Sequence, residues 1–310
     1  MKKPRIIFMG TPEFAVPSLN KLYEAGYDIV AVVTAPDKPA GRGMKLTQSS
    51  VKKYALEKNL PILQPEKLKD SAFIEKLRAL HAAVQVVVAF RMLPEVVWDM
   101  PPLGTINLHA SLLPQYRGAA PINWAIINGE KETGVTTFKL QQEIDTGNIL
   151  MQQRIPITDT ETAGTLHDKM METGADLLLE TIQQIEDSSI KETPQPSVIN
   201  LQQSTLKTAP KIFTETCQIN WDQPTDQAYN FIRGLSPYPT AFTFLDGKKL
   251  KVFSAEKEKT NRFAEPGKIF TDHKTFLKFS TKDGFISLIE IQLEGKKRMR
   301  VEDFLRGWRK

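Results

Sequence analysis

Val84-Gln85-Val86-Val87-Val88-Ala89 is an almost entirely apolar run, and it follows a stretch of helical pattern from Ser71 to Leu80. Ile29 to Val33 is a second apolar run, and Ile6-Ile7-Phe8-Met9 is another near the start of the sequence. Strands that are apolar on both faces are typical of parallel sheets that helices cover on both sides. The first half of the sequence therefore predicts an α/β domain built on a mostly parallel sheet.

The pattern changes after a long amphipathic helix, which is predicted over Thr162 to Glu186. Residues 188–211 are rich in Ser, Thr, Gln and Pro, a composition that predicts a linker. Beyond them, short strand-like runs separated by Gly and Asp turns predict a small OB-like β-barrel. We therefore expect a first domain over 1–187, a linker over 188–211 and a second domain over 212–310.

The composition is that of an ordinary globular protein, with 310 residues, 41% hydrophobic and 25% charged. No apolar stretch is long enough to span a bilayer, and the opening residues lack the apolar centre of a secretory signal. Cys217 is the single cysteine, which excludes an internal disulfide framework and fits a reducing compartment. These features predict a cytoplasmic protein with no membrane partner.

The charge is distributed unevenly along the chain. Residues 1–205 contain 21 Lys and Arg against 23 Asp and Glu, whereas residues 206–310 contain 20 against 13. A basic second part suits a polyanionic partner. A solvated basic surface without a partner explains the same charge equally well, so the charge alone leaves both interpretations open.

Candidate site residues lie in and after a strand predicted over 105–109. Asn107 and His109 are two residues apart, so their side chains lie on one face, at the end where open α/β sheets bind ligands. Burying an amide beside an imidazole in a dry apolar core costs free energy, so the pair indicates a function at this position. Further along, Asp145-Thr146-Gly147 by itself indicates only a turn. Together with Asn107 and His109, it suggests a carboxylate delivered to the imidazole.

Two classes of cofactor are not expected. The four histidines, at positions 81, 109, 167 and 273, are scattered, and with one cysteine they do not make a zinc pattern. The turn after the first strand, from Gly10 to Ala15, lacks the glycine spacing of a dinucleotide-binding fingerprint. The sequence therefore predicts neither a metal site nor NAD binding.

Asn107-x-His109, Ser-Leu-Leu-Pro-x-Tyr-Arg-Gly-x-Ala-Pro over 111–121 and Asp145-Thr146-Gly147 together resemble the signature of folate-dependent formyltransferases. The resemblance implies a Rossmann-like catalytic domain, with 10-formyltetrahydrofolate as the formyl donor. It also implies that Asn107, His109 and Asp145 are the catalytic residues. The folate site implied in the same way consists of Ser111, Leu112, Leu113, Pro114, Phe90 and Arg91. At 89–91 this sequence has Ala-Phe-Arg where the family more often has Ala-Tyr-Gly.

Three further stretches resemble the branch of this family that formylates methionyl-tRNA. They are residues 8–17, the loop insertion over 34–46, and the segments from 209 to 239 around the linker and the start of the barrel. The resemblance implies aminoacylated initiator tRNA as the partner, and we expect a monomer. Cations of these stretches suit contacts with phosphates or base edges, and the predicted tRNA-binding residues are Lys38, Arg42, Lys45, Lys211 and Arg233.

The chemistry implied by the resemblance is direct attack of the amine on the formyl group. Asn107 would donate to the formyl oxygen, while His109 and Asp145 would handle charge and the amine proton. Three other functions stay open at this point. They are formyl transfer to a nucleotide-linked sugar amine, RNA binding without catalysis, and hydrolysis of formylfolate.

Overall fold

The computed structural model describes residues 3–40, 45–195, 206–260 and 264–308. The chain divides into two compact units. The first comprises Met1–Arg117, Gly134–Ile155 and Asp168–Lys207, and the second comprises Gly118–Thr133, Pro156–His167 and Thr208–Lys310. Two internal segments of the first half therefore belong to the second unit, whereas the sequence predicts contiguous domains. The predicted limits at 187 and 212 stay a prediction.

The described residues up to 195 alternate strands and helices. The strands are β1 (Arg5–Gly10), β2 (Asp28–Val33), β3 (Lys38–Ala40), β4 (Lys45–Thr47), β5 (Ile62–Leu63), β6 (Val84–Val88), β7 (Thr105–His109), β8 (Arg117–Gly118), β9 (Glu132–Lys139) and β10 (Ile149–Pro156). The helices are α1 (Val16–Glu24), α2 (Ser50–Glu57), α3 (Ser71–Ala79), α4 (Glu95–Trp98), α5 (Pro121–Ile127) and α6 (Ala163–Glu186).

The first unit is organised around a seven-stranded sheet with the strand order β10-β9-β7-β6-β1-β2-β5. The five neighbouring strands β7, β6, β1, β2 and β5 pair in parallel, while β9 runs antiparallel to β7. Ile6, Ile7, Phe8 and Met9 of β1 are fully buried, as expected for a strand that is apolar on both faces. The prediction of a Rossmann-like domain with a mostly parallel sheet is confirmed.

Helix α6 lies close against the strand that carries the candidate site. A Cβ atom added at Gly174 would lie 2.9 Å from Cδ2 of Leu108, which is tighter than ordinary packing. Ile106 and Leu108 of β7 are both buried. Because side chains alternate along a strand, Asn107 and His109 point to the opposite face from these two apolar residues.

The second unit contains a six-stranded sheet of antiparallel pairs. Its elements, in chain order, are β11 (Thr208–Ala209), α7 (Thr225–Gly234), β12 (Ala241–Leu245), β13 (Lys248–Lys259), β14 (Ile269–Thr271), β15 (Leu277–Ser280), β16 (Gly284–Leu293), β17 (Met299–Arg300) and α8 (Val301–Gly307). The sheet order is β12-β13-β16-β15-β14, with β17 paired to β16. The short β11 lies outside this sheet.

The long strand β13 shows how this sheet curves and encloses a core. Its pairing with β16 shifts register between Val252 and Ala255, and such irregularities bend a strand. Apolar side chains of the strands and of α7 and α8 form one buried cluster, with Trp221 stacked on Phe279 at 4.6 Å between ring centres. The predicted small β domain after the α/β domain is confirmed, as a half-barrel of antiparallel strands.

Two kinds of feature are absent from the described residues: a membrane-spanning helix and a cluster of metal ligands. None of the helices there combines the length and the hydropathy needed to cross a membrane. No group of three or more His, Cys, Asp or Glu side chains in this part of the chain is arranged to hold a metal ion.

Candidate active site

Asn107 and His109 lie on β7 between a parallel neighbour and an antiparallel one. Asn107 is opposite Val87 of β6 and Phe138 of β9, and His109 is opposite Thr136 of β9. His109 is the last residue of the strand, at the carboxyl end of the parallel strands. The predicted position of this pair, on one face at the binding edge of the sheet, agrees with the strand geometry.

The imidazole of His109 is buried between a backbone carbonyl and a carboxylate. Nε2 lies 3.0 Å from the carbonyl oxygen of Tyr116, and because that oxygen only accepts, Nε2 is the donor. Nδ1 lies 3.8 Å from Oδ2 of Asp145, within ion-pair range but beyond hydrogen-bond range. The side chains are only 8% and 11% exposed. A low dielectric strengthens the interaction of such a pair.

Asp145 reaches the imidazole from the loop over 140–148, between β9 and β10. Its backbone φ is +55°, a left-handed conformation that aspartate tolerates better than most residues. Two residues later, a Cβ at Gly147 would lie 1.7 Å from the carbonyl oxygen of Lys139, so only glycine fits there. Asp145-Thr146-Gly147 is therefore a tight turn, and the turn aims a carboxylate at His109.

The loop that follows His109 is held by an internal network. The Ser111 hydroxyl donates to the carbonyl oxygen of Gln115 at 2.6 Å, and its own carbonyl accepts from the Thr136 hydroxyl at 2.6 Å. The amide of Gln152 donates to the carbonyl oxygen of Leu113 at 3.0 Å. Ser111 is fully buried. This geometry does not favour the predicted contact between the Ser111 side chain and folate, because its hydroxyl is engaged within the loop.

A pocket of about 530 Å³ lies beside this loop. Its lining residues include Leu112, Leu113 and Pro114, which the resemblance to formyltransferases assigns to the folate site. Gln152 of β10 also lines the pocket, and the lining residues not yet named are Gln115, Gln153 and Arg154. The structure therefore brings three of the six predicted folate residues to one pocket.

Phe90 and Arg91 are not among the residues that line this pocket, and they lie in the segment after β6. The Arg91 guanidinium carbon is 5.6 Å from the centre of the Phe90 ring. Its nitrogens donate to the carbonyl oxygens of Pro65 and Glu66. Burial lowers the pKa of Arg91. Because backbone carbonyls occupy these donors, the structure favours a role for Arg91 in fixing this segment over the predicted contact with folate.

The cations predicted to bind tRNA differ in their surroundings. Lys38 is exposed on β3, and Lys211 is exposed with Nζ 5.3 Å from the centre of the Phe213 ring. Arg42 and the side chain of Lys45 lie outside the described residues, although the backbone of Lys45 pairs with Ala40 in the β3–β4 hairpin. Lys38 and Lys211 are therefore placed where a polyanion can reach them.

Arg233 is buried in the second unit, and its side chain donates hydrogen bonds to other residues of the same unit. Nη1 donates to the carbonyl oxygens of Thr158 at 3.1 Å and Glu161 at 2.9 Å, and Nε donates to Oδ1 of Asn230 at 2.9 Å. Only 5% of the residue is exposed, and burial lowers its pKa. The predicted contact of Arg233 with tRNA is not favoured, because these donors hold a loop to α7.

A hydrogen-bonded cluster at the base of the β3–β4 hairpin was not predicted from the sequence. The Asp37 carboxylate accepts from Nζ of Lys52 at 2.6 Å and from the amide of Gln64 at 2.9 Å. The hydrogen bond from Lys52, followed by that from Gln64, lowers the pKa of Asp37. The three residues are 27 positions apart at the extremes, so no local pattern in the sequence marks them.

Two family models match the chain in succession. The formyl transferase model matches residues 4–182, and the model of the formyl transferase C-terminal domain matches residues 211–309. Curated relatives match over essentially the whole length. A methionyl-tRNA formyltransferase of Phocaeicola vulgatus is 58% identical over 314 residues, covering 99% of this chain and 97% of the relative. One of Bacteroides thetaiotaomicron is 54% identical over 316 residues, covering 100% and 98%.

Solved structures share the fold at lower sequence identity. A sugar 3N-formyl transferase, WlaRD, crystallised in the presence of dTDP and 5-N-formyl-THF, aligns with a TM-score of 0.68. The alignment covers 96% of this chain and all of the other, at 21% identity. With two family models spanning most of its length and relatives more than half identical over all of it, this chain belongs to the formyl transferase family.

Proposed function

We propose that this protein transfers the formyl group of 10-formyltetrahydrofolate to the amino group of methionyl initiator tRNA, for the initiation of translation. The buried His109–Asp145 pair on the binding edge of the sheet carries the proposal, because it is machinery for moving a proton. The choice of acceptor follows the methionyl-tRNA formyltransferases that are 54% and 58% identical to this chain.

The residues of the site divide the chemistry between them. The folate donor supplies the formyl group, whose carbon bonds to the amine nitrogen as its bond to the folate nitrogen breaks. The side-chain NH2 of Asn107 donates to the formyl oxygen, where negative charge develops. Asp145 accepts the proton that the amine loses, and His109 stabilises the developing charge or returns a proton to the leaving nitrogen. With Nε2 bonded to Tyr116, Nδ1 is the ring nitrogen available for this role.

The pocket beside the loop after β7 is a candidate position for the folate. Leu112, Leu113 and Pro114 offer apolar surface, and Gln152 and Gln153 add polar side chains to the lining, with the nitrogen of Gln152 bound to the carbonyl oxygen of Leu113. Pockets of a few hundred Å³ with apolar walls and a few polar groups are typical of small-molecule sites. We assign these three apolar residues to folate, and assign Ser111 and Arg91 to the support of the loops around it.

The tRNA is assigned to the exposed cations. Residues 206–310 have seven more Lys and Arg than Asp and Glu, and Lys211 is exposed within this range. In the first unit, Lys38 is exposed on the hairpin whose base is held by Asp37, Lys52 and Gln64. A protein with this function works in the cytoplasm, and we expect it to act as a monomer.

An acceptor assay tests the proposal. The purified protein is incubated with radiolabelled 10-formyltetrahydrofolate and, separately, methionyl initiator tRNA, a dTDP-linked amino sugar, or no acceptor. We expect label transfer to the tRNA, declining steeply as salt rises from about 50 to 200 mM because cation–phosphate contacts are lost. Transfer to the amino sugar alone would replace the proposed acceptor. Formate release without acceptor would indicate hydrolysis, and tRNA binding without transfer would indicate a protein that only binds RNA.

A further inference from the structure

Residues 192–195, called the strap below, run along the loop that carries Asp145. Thr193 pairs with Ile149, the first residue of β10, through two backbone hydrogen bonds of 2.8 Å. The sequence assigns this segment to a linker, because its composition is polar and without periodicity. In the structure, the backbone of the strap is bonded to the end of the loop.

Glu192 fixes the strap to both ends of the loop. Its Oε2 accepts from Nδ2 of Asn148 at 2.8 Å, and its Oε1 lies 3.2 Å from Nζ of Lys139. Lys139 and Asn148 also join through a backbone hydrogen bond of 2.9 Å. The strap therefore contacts the loop where it leaves β9 and where it enters β10.

Gln195 contacts the turn itself. Its Nε2 donates to the carbonyl oxygen of Asp145 at 3.0 Å and to that of Gly147 at 2.7 Å. Its Oε1 accepts from Nη2 and Nε of Arg117 at 2.6 and 3.2 Å. Burial lowers the pKa of Arg117, and the carboxylates of Asp145 and Glu143 act in the opposite direction. One amide thus joins the catalytic turn to a partly buried cation.

These contacts hold the backbone that carries the Asp145 carboxylate. The two carbonyl groups that accept from Gln195 are those of Asp145 and Gly147, at the start and the end of the turn. Asp145 is in the left-handed region, which is less stable than the right-handed one for a residue with a side chain. The hydrogen bonds from Gln195 therefore help to keep the turn in this conformation, with Oδ2 3.8 Å from the imidazole.

We propose that Gln195, oriented by Arg117, is a positioning residue that holds Asp145 in line with His109; this inference rests on the proposed function. Gln195 acts through Asp145 and has no contact with the reactants in this scheme. An error of about 1 Å in a catalytic group costs on the order of a hundredfold in rate, so loss of the two donated hydrogen bonds lowers kcat.

Three variants separate the parts of this proposal. Gln195→Ala removes all the contacts of the amide. Gln195→Glu keeps an acceptor for Arg117 but removes the two donations to the carbonyls. Gln183→Ala, on an exposed position of α6, is the matched control. We expect the first two variants to lower kcat for methionyl-tRNA about tenfold or more, with KM changed less than about twofold, and the control to match the wild type.

A double-mutant comparison shows whether Gln195 acts through Asp145. In an Asp145→Asn background, Gln195→Ala should lower kcat by less than about twofold, because the group that it positions is already neutralised. A full tenfold loss in both backgrounds would overturn the proposal, since the two residues would then act independently. Wild-type kcat in Gln195→Ala or in Gln195→Glu would overturn it as well.

Amide hydrogen exchange gives a readout that does not depend on the substrate. We expect the amides over 143–148 to exchange faster in Gln195→Ala than in Gln183→Ala. Equal exchange in the two variants would overturn the positioning role, whichever amine accepts the formyl group. A wild-type protein that fails to formylate methionyl-tRNA would overturn the proposed function alone, while the exchange comparison still decides the role of Gln195.

Discussion

Two buried ionisable side chains, one in each unit, are held in different ways. Arg233 of the second unit donates to two backbone carbonyls and to the Asn230 side chain, all within 3.1 Å. Within the described part of the chain, His109 of the first unit has a close hydrogen bond at Nε2 only, while its Nδ1 lies 3.8 Å from Oδ2 of Asp145. The guanidinium is bound to the structure around it on all three sides described above, whereas the Nδ1 side of the imidazole faces only the more distant Asp145 carboxylate among the contacts of the described residues. Burial alone therefore does not identify a functional group.

The largest effect is expected at the imidazole. His109→Asn removes the imidazole that the proposed proton transfer uses, and it should lower kcat for methionyl-tRNA formylation by about a hundredfold or more. His81→Asn is the matched control, because His81 is exposed and its φ of +46° is one that asparagine tolerates. Steady-state kinetics measure the loss, and tRNA affinity should stay within about twofold. If His109→Asn weakened tRNA binding and kept its wild-type kcat, the assignment of His109 to catalysis would be wrong.

At Arg233 the expected loss is in stability. Arg233→Met leaves buried carbonyls without their donors and should lower the free energy of unfolding by about 3 kcal/mol. Arg306→Met, on an exposed position of α8, should change it by less than about 0.5 kcal/mol. Urea unfolding followed by circular dichroism compares the two. Equal stability together with weaker tRNA binding in Arg233→Met would restore the tRNA contact that the sequence predicts.

Lys211 is an exposed cation of the second unit and contrasts with the buried Arg233. Lys211→Met should leave the free energy of unfolding within about 0.5 kcal/mol of the wild type, because the side chain is exposed. It should also make the negative slope of log affinity for tRNA against log salt concentration shallower by about one, because one contact between a cation and a phosphate is lost. Fluorescence anisotropy over a salt series measures the slope. Lys76→Met, on α3 of the first unit, should leave the slope unchanged; a fall in both variants would contradict the assignment.

The smallest effect is expected at Glu192 of the strap. Hydrogen bonding from Asn148, followed by that from Lys139, lowers the pKa of Glu192. A carboxyl group with a lowered pKa stabilises the folded state above its ordinary value of about 4.3, and this stabilisation disappears as the pH falls through the lowered value. Relative to Glu192→Gln, the wild type should gain less than about 1 kcal/mol at neutral pH, since the side chains are partly exposed.

Thermal unfolding over a pH series measures the Glu192 contribution. The gap between wild type and Glu192→Gln should be constant near neutrality and should close below about pH 4. Glu180→Gln, on an exposed position of α6, should show no such closure relative to the wild type. A gap that is constant down to low pH would mean that Glu192 stabilises the loop by its shape and not by its charge.

Much of the fold was predictable because its strands are apolar on both faces. The runs at 6–9, 29–33 and 84–89 correspond to β1, β2 and β6, three adjacent strands of the sheet. Asn107 and His109 were predictable as a pair since a strand has a side-chain period of two. Local spacing and burial on both sides thus carry information that a single sequence contains.

The surroundings of three residues assigned to ligand binding could not be predicted from residue type. Arg91, Ser111 and Arg233 all stand in motifs that resemble ligand-binding ones, yet each donates to backbone carbonyls of this chain. Whether a polar side chain meets a ligand or the protein depends on which carbonyls lie nearby, and a linear pattern does not contain that distance. Gln195 shows the reverse, because a segment of linker composition contains a residue that holds the catalytic turn.

The sequence by itself determined the layered α/β architecture, the β-rich second part and the presence of an amide and an imidazole on one strand, because these depend on local periodicity and on side-chain alternation. Only the tertiary structure decided that Asp145 reaches His109 from 36 residues away, that Arg233 is bound within its own unit, and that Gln195 supports the turn. These are long-range contacts, made after the chain has folded back on itself, and their partners share no sequence neighbourhood.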